Sequence, residues 1–300
     1  MRHNHEIARA GDRIRAGELV VFPTETVYGL GANALDADAV ARIFAAKGRP
    51  RSSPLIVHVD SVEMARGLAL RWPDAAETLA HRYWPGPLTL VVPKIPALPD
   101  IVTAGLPTVG LRMPAHVLAL QLIHAAGVPI AAPSANRFTE LSPTLAGHVP
   151  EALADYVLDG GPARVGIEST VLSLDGTPTL LRPGVIPVPE IEALIGPVAI
   201  ASSAPVDTAE AHPSPGMQPH HYRPATPLLL WHPGDDPPPG RGAWLRIGVE
   251  MPGDARAYAA LLYEMLHRLD GGGYDWIAVE EPPDAPEWAG IRDRLRRAAG

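Results

Sequence analysis

Three cationic side chains stand at alternate positions in the segment AAKGRPRSSP, and their spacing suits the binding of phosphate. Lys47, Arg49 and Arg51 are separated by Gly48 and Pro50. Arginine supplies paired donors in one plane and lysine supplies a point charge, and phosphate oxygens accept from both. The segment therefore predicts a clamp for a polyphosphate. An alternative role exists for Lys47, because a cation in the last turn of a helix also stabilises the helix dipole.

A polar loop follows the apolar run LVVF and carries two hydroxyls and a carboxylate. It reads PTET at residues 23–26, and Gly29 and Gly31 close it. Glycines allow a backbone to approach a ligand closely, which favours a binding loop over an ordinary turn at the end of a strand. These glycines do not form a dinucleotide fingerprint, because PTETVY separates them from the strand. No P-loop pattern is present, so we expect side chains to bind any phosphate.

Further polar side chains accompany apolar strands at three other places. The carboxyl ends of strands in an open α/β sheet are common ligand sites, so these side chains are candidates for the same cleft. The alternative for each is a structural turn or, for a histidine within a strand, a buried group with no ligand. The candidates are His58 in LIVHV, Ser134, Asn136 and Ser142 in IAAPSANRFTELSPT, and Ser169, Thr170 and Arg182 in GIESTVLSL and LLRPG.

The elements that must position these residues alternate between short apolar runs and amphipathic segments. Strands are predicted at residues 19–22, 55–59, 88–92, 108–112, 128–132, 156–158 and 169–174, with helices between several of them. Asp36 is the predicted N-cap of one helix, and Asp60 with Glu63 predicts the start of another. This pattern indicates an α/β fold with a mixed sheet covered by helices.

The chain divides into three parts. Residues 1–196 form the predicted catalytic domain, and residues 197–227 lack apolar periodicity and are predicted to be a linker. Residues 228–300 then contain LLLW, AWLRIGV, an amphipathic helix from 255 to 269, DWIAVE and an arginine-rich helix. This order predicts a small β-β-α-β-α domain that docks on the larger one.

Composition excludes several classes of protein. The net charge of -8 argues against a surface that neutralises many phosphates, so long nucleic acid is not the expected ligand. Because cysteine is absent, disulfides, thiolate metal sites and cysteine nucleophiles are excluded. The N-terminus has no signal-peptide pattern and no stretch is apolar enough to span a membrane, so we expect a cytoplasmic protein without a membrane partner.

Together the motifs resemble one family. FPTETVYGLG, AKGRP, PLIVH, WPGPLTLVV, GLPTVGLRMP, APSAN, GIESTV and LRPG follow in this order, and they are similar to the YrdC-type threonylcarbamoyl-AMP synthases. The linker SPGMQPHHYRP and the last domain resemble the long two-domain form of these enzymes. The resemblance implies a large YrdC-like twisted mixed sheet with flanking helices and a small C-terminal α/β domain.

The resemblance also implies a reaction. L-threonine, bicarbonate and ATP, with Mg²⁺ accompanying the nucleotide, form threonylcarbamoyl-adenylate and pyrophosphate. A separate transferase complex then modifies tRNA with this product, so no stable direct binding of tRNA is expected. We expect a carbamate oxygen to attack the α-phosphorus in line, with Lys47 and Arg49 as the catalytic cations and with no general base assigned.

Residue roles follow from the resemblance position by position. The threonine and bicarbonate pocket is implied at Thr24, His58, Arg112, Ala132 and Ser169. The ATP site is implied at Lys47, Arg49, Thr108, Ser134, Asn136, Ser142, Arg182 and Tyr222, the last as a lid from the linker.

The linker departs from the family pattern, and two other functions remain as alternatives. Gln218, Pro219 and His220 stand where the family has Lys, Tyr and Arg, so their effect is open. The pair His220 and His221 is not predicted to bind metal, because no further ligand has suitable spacing. The alternatives are a domain of a carbamoyltransferase that forms carbamoyl-adenylate and a non-enzymatic RNA-binding protein.

Overall fold

The structure, a computed structural model, describes residues 2–201 and 221–299, with side chains from residue 5 onward. Gln218, Pro219 and His220 therefore lie outside the described residues. The helices are α1 (Arg2–Arg15), α2 (Ala37–Lys47), α3 (Val62–Leu68), α4 (Asp74–Tyr83), α5 (Asp100–Thr103), α6 (Val117–Ala126), α7 (Val188–Ile195), α8 (Ala255–Asp270) and α9 (Ala289–Ala299). The strands are β1 (Val20–Phe22), β2 (Gly29–Asn33), β3 (Ile56–His58), β4 (Leu88–Pro93), β5 (Thr108–Arg112), β6 (Ile130–Ala132), β7 (Tyr156–Val157), β8 (Thr170–Ser173), β9 (Thr179–Arg182), β10 (Ala199–Ile200), β11 (Leu228–Trp231), β12 (Gly242–Leu245) and β13 (Trp276–Glu280).

A ten-stranded mixed sheet forms the larger part of the molecule, in the order β10-β9-β8-β4-β5-β3-β6-β2-β1-β7. The sheet contains parallel pairs, such as β3 with β5, and antiparallel pairs, such as β3 with β6. The predicted mixed sheet with flanking helices is confirmed. β10 lies inside the range predicted as linker, and the two boundaries between the three parts of the chain stay predictions.

The sheet is covered on both faces by helices with apolar stripes. One core contains α2 residues such as Ile43 together with Val57 and Val59 of the β3 region. The other contains Ile14 of α1 and Ile123 of α6 against the opposite face. Because side chains alternate along a strand, His58 points away from the face that holds its two valine neighbours. It therefore faces the side on which the ligand pocket lies.

Helix starts were predicted with mixed success. Asp36 caps α2 as expected, and its carboxylate accepts from the backbone N–H groups of Asp38 and Ala39. The predicted start at Asp60 is wrong, because the N-cap of α3 is Ser61, whose hydroxyl accepts from the N–H of Met64. Asp60 instead accepts from the Ser61 hydroxyl at 3.0 Å.

The glycines after the PTET loop form a strand, which the sequence prediction missed. Gly29 and Gly31 lie in β2, which pairs antiparallel with β1. A Cβ atom on Gly31 would lie 2.8 Å from Ile130 and 2.9 Å from Phe22. The glycine at this position therefore serves close packing within the sheet, and the binding loop ends before it.

A separate three-stranded parallel sheet, in the order β11-β13-β12, forms the C-terminal part with α8 and α9. The predicted order of two strands, a helix, a strand and a helix is confirmed. AWLRIGV was predicted to be a strand to its end, but β12 stops at Leu245. Within the described residues, no helix combines the length and apolar character needed to cross a membrane.

The small sheet and its helices dock on the large sheet through two glycine contacts. Gly166 has φ +78, and a Cβ atom there would lie 2.3 Å from the backbone oxygen of Ala259 in α8. A Cβ atom on Gly290 of α9 would lie 2.6 Å from the backbone oxygen of Gly184. Both contacts bring main chain against main chain, which only glycine permits. The loops that contain Gly166 and Gly184 also carry predicted site residues, so this docking fixes one wall of the site.

Candidate functional site

A pocket of about 540 Å³, including the part open to solvent, lies where several strands of the large sheet end. Its walls come from the loop after β1, from β3, β5 and β6, from the segment before β8 and from the end of β9. The predicted residues that line it are Thr24, Arg49, His58, Arg112, Ala132, Ser134, Ser169, Arg182 and Tyr222. Sequence separation is large among these residues, and the sheet brings them together.

The end of α2 places Lys47 and Arg49 on the pocket side. Gly48 takes a left-handed conformation, φ 63, and its N–H bonds to carbonyls of the last helical turn. Lys47, which is 4% exposed, donates from Nζ to the backbone oxygens of Ser134 at 2.6 Å and of Asn136. It therefore supports the loop after β6 from behind and does not itself line the pocket. Arg51, the third cation of the predicted clamp, is exposed to solvent and lies outside it.

Arg49 lines the pocket and is held by the segment that follows it. Its Nη2 donates to the Ser53 hydroxyl at 2.5 Å and to the backbone oxygen of Pro54 at 3.1 Å. Its guanidinium also lies 5.9 Å from the ring centre of Phe138. Ser53 was given no role from the sequence, yet it orients this arginine. A guanidinium fixed in this way is preorganised for an anion.

Burial shifts the pKa values of these two cations downward. Burial, followed by the repulsion of Arg49, lowers the pKa of Lys47 well below its ordinary value. Burial lowers the pKa of Arg49 to about 10, and Arg182 contributes to the shift. In the contacts described above, both side chains donate to carbonyl or hydroxyl oxygens. An anionic ligand would thus relieve a local excess of positive charge.

Arg112 and His58 lie side by side on β5 and β3, where the two residues are register partners. Nη2 of Arg112 lies 2.7 Å from Oε1 of Glu25, and both side chains are about 5% exposed or less. Burial and the nearby Arg112 charge lower the pKa of His58 to about 3, so this imidazole is neutral at physiological pH. The pair thus offers one buried cation and one neutral ring to a small polar ligand.

The hydroxyl of Thr24 is engaged in its own loop. It donates to the backbone oxygen of Val27 at 2.6 Å and lies 2.9 Å from the Thr26 hydroxyl. The backbone N–H groups of Thr26 and Val27 each donate to the Thr24 hydroxyl oxygen at 3.2 Å. These bonds fix the PTET loop in a tight turn at the rim of the pocket.

Ser169 and Arg182 form a second polar group on the opposite wall. Arg182 donates from Nε and Nη2 to the backbone oxygen of Ser169, at 3.2 and 3.1 Å. Its Nη2 also lies 3.2 Å from the Ser169 hydroxyl, which is 2.8 Å from the hydroxyl of Thr89. The guanidinium is 3% exposed, so it lies deep beside the ligand space.

Glu168 is a pocket residue that sequence reasoning missed. It lies within the quoted motif GIESTV, but its neighbours Ser169 and Thr170 drew attention instead. Its carboxylate accepts from the Ser142 hydroxyl at 2.5 Å and from Nε of Arg294 at 2.7 Å. Burial opposes its ionisation, but Arg294 and Arg182 hold the pKa of the carboxyl below its ordinary value. Glu168 is therefore a carboxylate at neutral pH.

Four predicted site residues do not line this pocket. Lys47 lies behind the loop after β6, as described above. Asn136 donates from Nδ2 to the backbone oxygens of Arg137 and Glu140, and Ser142 is bound to Glu168. Thr108 begins β5 at the end opposite to Arg112 and lines a smaller neighbouring pocket, which shares Ile56 with the main one.

Tyr222 and His221 close the pocket from the side of the small sheet. Tyr222 is 1% exposed, has φ 65 and packs with Tyr263 and other residues of the C-terminal core. His221 lies 5.7 Å from the ring of Phe138, edge to face. Burial and the charges of Arg49 and Lys47 lower the pKa of His221 well below its ordinary value. Two buried aromatic rings thus form a cover over the cationic wall.

The pocket is suited chemically to a ligand with several negative charges and a small polar part. Lys47, Arg49, Arg112 and Arg182 are each at most 6% exposed. Water is largely displaced around them, which strengthens their attraction for an anion. Among the described residues, no group of three or more His, Asp or Glu side chains could hold a metal ion.

Two family models together match most of the chain. The model described as "Telomere recombination", which groups Sua5, YciO and YrdC, matches residues 12–184. The model described as "Threonylcarbamoyl-AMP synthase, C-terminal domain" matches residues 186–300. This chain belongs to the Sua5/YrdC family, in its long two-domain form. The pocket described above lies in the first of the two matched regions, and Tyr222 and His221 come from the second.

Full-length members of the Sua5/YrdC family resemble this chain closely. The threonylcarbamoyl-AMP synthase of Pyrococcus abyssi is 43% identical and covers 98% of this chain and 94% of its own length. That of Bacillus subtilis is also 43% identical, covering 98% and 93%. The crystal structure of P. abyssi Sua5 complexed with L-threonine superposes with a TM-score of 0.90 at 40% identity, over 98% of this chain and 94% of that one.

Proposed function

We propose that this chain is a threonylcarbamoyl-AMP synthase, which converts L-threonine, bicarbonate and ATP to L-threonylcarbamoyladenylate and pyrophosphate. The observation that carries the proposal is its full-length likeness to enzymes of that name. The geometry supports it, because residues suited to an amino acid and residues suited to a polyphosphate line one pocket. The product is the activated group for a later modification of tRNA.

We assign the amino-acid side of the pocket to Thr24, His58, Arg112, Ala132 and Ser169. Arg112 would pair with the carboxylate of L-threonine through its planar guanidinium. The neutral ring of His58 and the Ser169 hydroxyl are available to the substrate hydroxyl or to the carbamate. A pocket that hydrogen-bonds the hydroxyl rejects valine more strongly than an apolar pocket does.

We assign the nucleotide side to Lys47, Arg49, Thr108, Ser134, Asn136, Ser142, Arg182 and Tyr222. Arg49 and Arg182 line the pocket directly, and Lys47 holds the loop that carries Ser134. Thr108 lines the adjoining small pocket, which shares Ile56 with the main one, and would contact the nucleotide from there. The aromatic rings of Tyr222 and His221 would exclude water from the phosphate chain.

The proposed reaction needs no covalent intermediate on the protein. Bicarbonate takes up a proton and loses water to give carbon dioxide, and the amine of threonine adds to that carbon and releases a proton, which gives the carbamate. A carbamate oxygen then attacks the α-phosphorus. The bond from that phosphorus to the bridging oxygen breaks, and pyrophosphate leaves with its electron pair. Arg49 would stabilise the charge that develops on the phosphate oxygens, and Lys47 would add its positive charge from behind the loop that carries Ser134. Mg²⁺, which we expect to accompany ATP, would neutralise part of the phosphate charge.

A direct assay tests the proposal. The purified chain is incubated with ATP, Mg²⁺, bicarbonate and L-threonine, and the adenylate is detected by mass spectrometry while pyrophosphate is measured in parallel. We expect both products, and we expect both to vanish when L-threonine is omitted. Pyrophosphate release that is independent of threonine and requires carbamoyl phosphate would identify a carbamoyl-adenylate activity instead.

Substitution of the two cations tests their proposed roles. Lys47→Ala and Arg49→Ala should each lower pyrophosphate formation by about 100-fold or more, as removal of a preorganised electrostatic group typically does. Arg51→Ala removes an exposed arginine two residues further on and serves as the matched control. Turnover like that of the unmodified chain in both variants would exclude the assigned roles.

A further inference from the structure

Arg294 on α9 is a buried charge that comes from the small sheet and reaches into the wall of the pocket. Its side chain is 1% exposed and is the largest among the fully buried side chains. Nε donates to Oε2 of Glu168 at 2.7 Å, and Nη2 donates to the backbone oxygen of Glu168 at 3.2 Å. Nη1 donates to the backbone oxygen of Pro183 at 2.8 Å. These three acceptors precede the linker in the chain, whereas Nη1 also donates to the Asp293 carboxylate at 2.8 Å and to the Gly290 backbone oxygen at 3.4 Å within α9.

The residues that Arg294 holds are immediate neighbours of the nucleotide side of the pocket. Pro183 follows Arg182, and Glu168 lines the pocket and accepts from the Ser142 hydroxyl at 2.5 Å. The guanidinium also lies 5.4 Å from the ring centre of Tyr222. Arg294 is therefore close to three residues that we assign to ATP. It lies beside Tyr222, it binds the residue after Arg182, and it binds the carboxylate that accepts from Ser142.

Tyr263 on α8 acts on the same carboxylate. Its hydroxyl donates to Oε2 of Glu168 at 3.2 Å, and its ring lies 5.9 Å from that of Tyr222. Both helices of the small domain thus hold the Glu168 carboxylate, α9 through the guanidinium of Arg294 and α8 through the phenol of Tyr263. Among the contacts described here, none joins Arg294 or Tyr263 to Thr24, His58 or Arg112.

Stability alone does not explain an arginine at this position. A buried ion pair gives up the hydration of both charges, and apolar side chains of similar volume often stabilise a fold as well or better. What an apolar side chain cannot supply is a planar set of donors that fixes a carboxylate and two backbone oxygens at once. It also cannot neutralise a carboxylate that lies beside the space for phosphates.

We propose that Arg294 is a positioning residue for ATP, which fixes Glu168, the loop after Arg182 and the ring of Tyr222, with Tyr263 assisting at Glu168. The small domain thereby completes the nucleotide side of the pocket and leaves the threonine side to the large sheet. This inference rests on the proposed function and adds a role for the C-terminal helices in substrate affinity.

The test compares the affinity for each substrate in three variants. Arg294→Lys keeps the positive charge but loses the planar guanidinium with its several donors. We expect the KM for ATP to rise about tenfold, which is the effect of losing a hydrogen bond to a charged group. Arg294→Met should show a larger rise. Tyr263→Phe keeps the ring and loses one bond to Glu168, and about a threefold rise is expected. The KM for L-threonine should rise clearly less than that for ATP in all three, because Thr24, His58 and Arg112 have no described contact with Arg294 or Tyr263. Of the residues assigned to L-threonine, only Ser169 adjoins Glu168.

Arg296→Met is the matched control, because Arg296 lies on the same helix, is 56% exposed and pairs with Glu281 at 3.4 Å. It should leave both KM values unchanged. A merely structural role for Arg294 would lower the melting temperature and kcat while the KM for ATP stays constant, and this result would overturn the inference. An equal rise of both KM values would overturn it as well. If the two Arg294 variants fail to fold, Tyr263→Phe decides by the same criterion.

The unmodified chain separates this inference from the proposed function. If it forms the adenylate, the function stands whatever the variants do. If it forms none, calorimetric titrations with ATP and with L-threonine still decide the inference, because selective weakening of ATP binding requires no turnover.

Discussion

His58 lies between an arginine and the apolar face of a sheet, and these surroundings determine its charge. Its pKa is about 3 in the folded chain, against 6.5 for the free side chain, because of burial first and Arg112 second. Above pH 6.5 neither the folded nor the unfolded chain protonates this ring. Between pH 6.5 and about 3 the unfolded chain binds a proton that the folded chain does not, so stability falls as the pH is lowered.

Denaturant titrations can measure this effect. The contribution of His58 to the free energy of unfolding should fall by about 1.4 kcal/mol for each pH unit below 6.5. His58→Gln lacks the titrating group and should show a shallower loss of stability between pH 6.5 and 4.5. Identical pH slopes in the two proteins would mean that His58 is already protonated in the fold.

Glu25 and Arg112 present a different situation, in which two buried side chains of opposite charge lie 2.7 Å apart. Glu25→Gln leaves the Arg112 guanidinium buried without its carboxylate, and we expect a loss of about 3 kcal/mol in the free energy of unfolding. The carboxylate of L-threonine should replace the missing charge, so threonine should raise the melting temperature of the variant more than that of the unmodified chain.

Glu250→Gln is the control for this prediction, because Glu250 pairs with Arg246 at the surface. It should cost no more than about 1 kcal/mol. A threonine-induced shift of the melting temperature that is equal in all three proteins would contradict the assignment of Arg112 to the substrate carboxylate.

At the scale of elements, the docking of α8 on the loop before β8 can be tested by a glycine-to-alanine substitution, which adds a single methyl group to the contact. Gly166 and Gly161 have almost the same backbone conformation, φ +78 and +76. A Cβ atom at Gly161 meets nothing within 4 Å, whereas at Gly166 it collides with the α8 backbone. Both alanine variants carry the strain of a left-handed residue, so their difference isolates the packing.

We expect Gly161→Ala to lower the free energy of unfolding by about 1 kcal/mol, the cost of the left-handed conformation. Gly166→Ala should lower it by about 3 kcal/mol or more, because the added methyl overpacks a closed interface. Chemical denaturation followed by tryptophan fluorescence measures both. Equal losses would show that α8 moves away freely and is not fixed by this contact.

Elements with a strong local pattern could be predicted from the sequence, and those that depend on partners could not. Strand β5 was predicted with its exact bounds, and β11 likewise, because each is a short apolar run between turn residues. α1 was missed, since RHNHEIARAGDRIR is mostly polar and only Ile7, Ala10 and Ile14 mark its buried side. β2 was missed because its glycines are not typical of a strand. They are required there because Phe22 and Ile130 pack against them and leave no space for a Cβ atom.

The candidate site shows the same division. The motifs identified most of the residues that line the pocket, because polar groups after apolar strands are visible in the sequence. Glu168 was not assigned, since its ionised state depends on Arg294, which lies 126 residues further along the chain. The solvent exposure of Arg51 could not be predicted either, because local spacing alone does not distinguish it from Arg49.

At the scale of the whole molecule, the net charge of -8 and the burial of the pocket cations both lead us to expect little contact with nucleic acid. The cations that would attract phosphates lie in an enclosed space suited to a mononucleotide, and long polyanions meet an acidic protein. The proposed product would therefore leave the enzyme before it reaches tRNA.

This proposal predicts that the chain alone leaves tRNA unmodified. In a reaction with ATP, Mg²⁺, bicarbonate, L-threonine and tRNA, the adenylate should accumulate while the tRNA mass stays constant. We also expect no tRNA binding in a filter assay at about 0.2 M salt, where weak phosphate contacts are screened. Binding that persists at this salt without ATP turnover would favour the RNA-binding alternative.

The close approach of Gly184 and Gly290 has a consequence for recombining parts of this family. Where two backbones are in direct contact, no side chain between them can change its rotamer or size. Substitutions at neighbouring positions therefore cannot compensate for a change in the spacing of the two backbones. A chimera that joins this large domain to the small domain of a relative should therefore assemble only if the relative carries glycine at the position of Gly290. Shuffling experiments that ignore these two positions would select against most exchanges, even where the remaining interface is compatible.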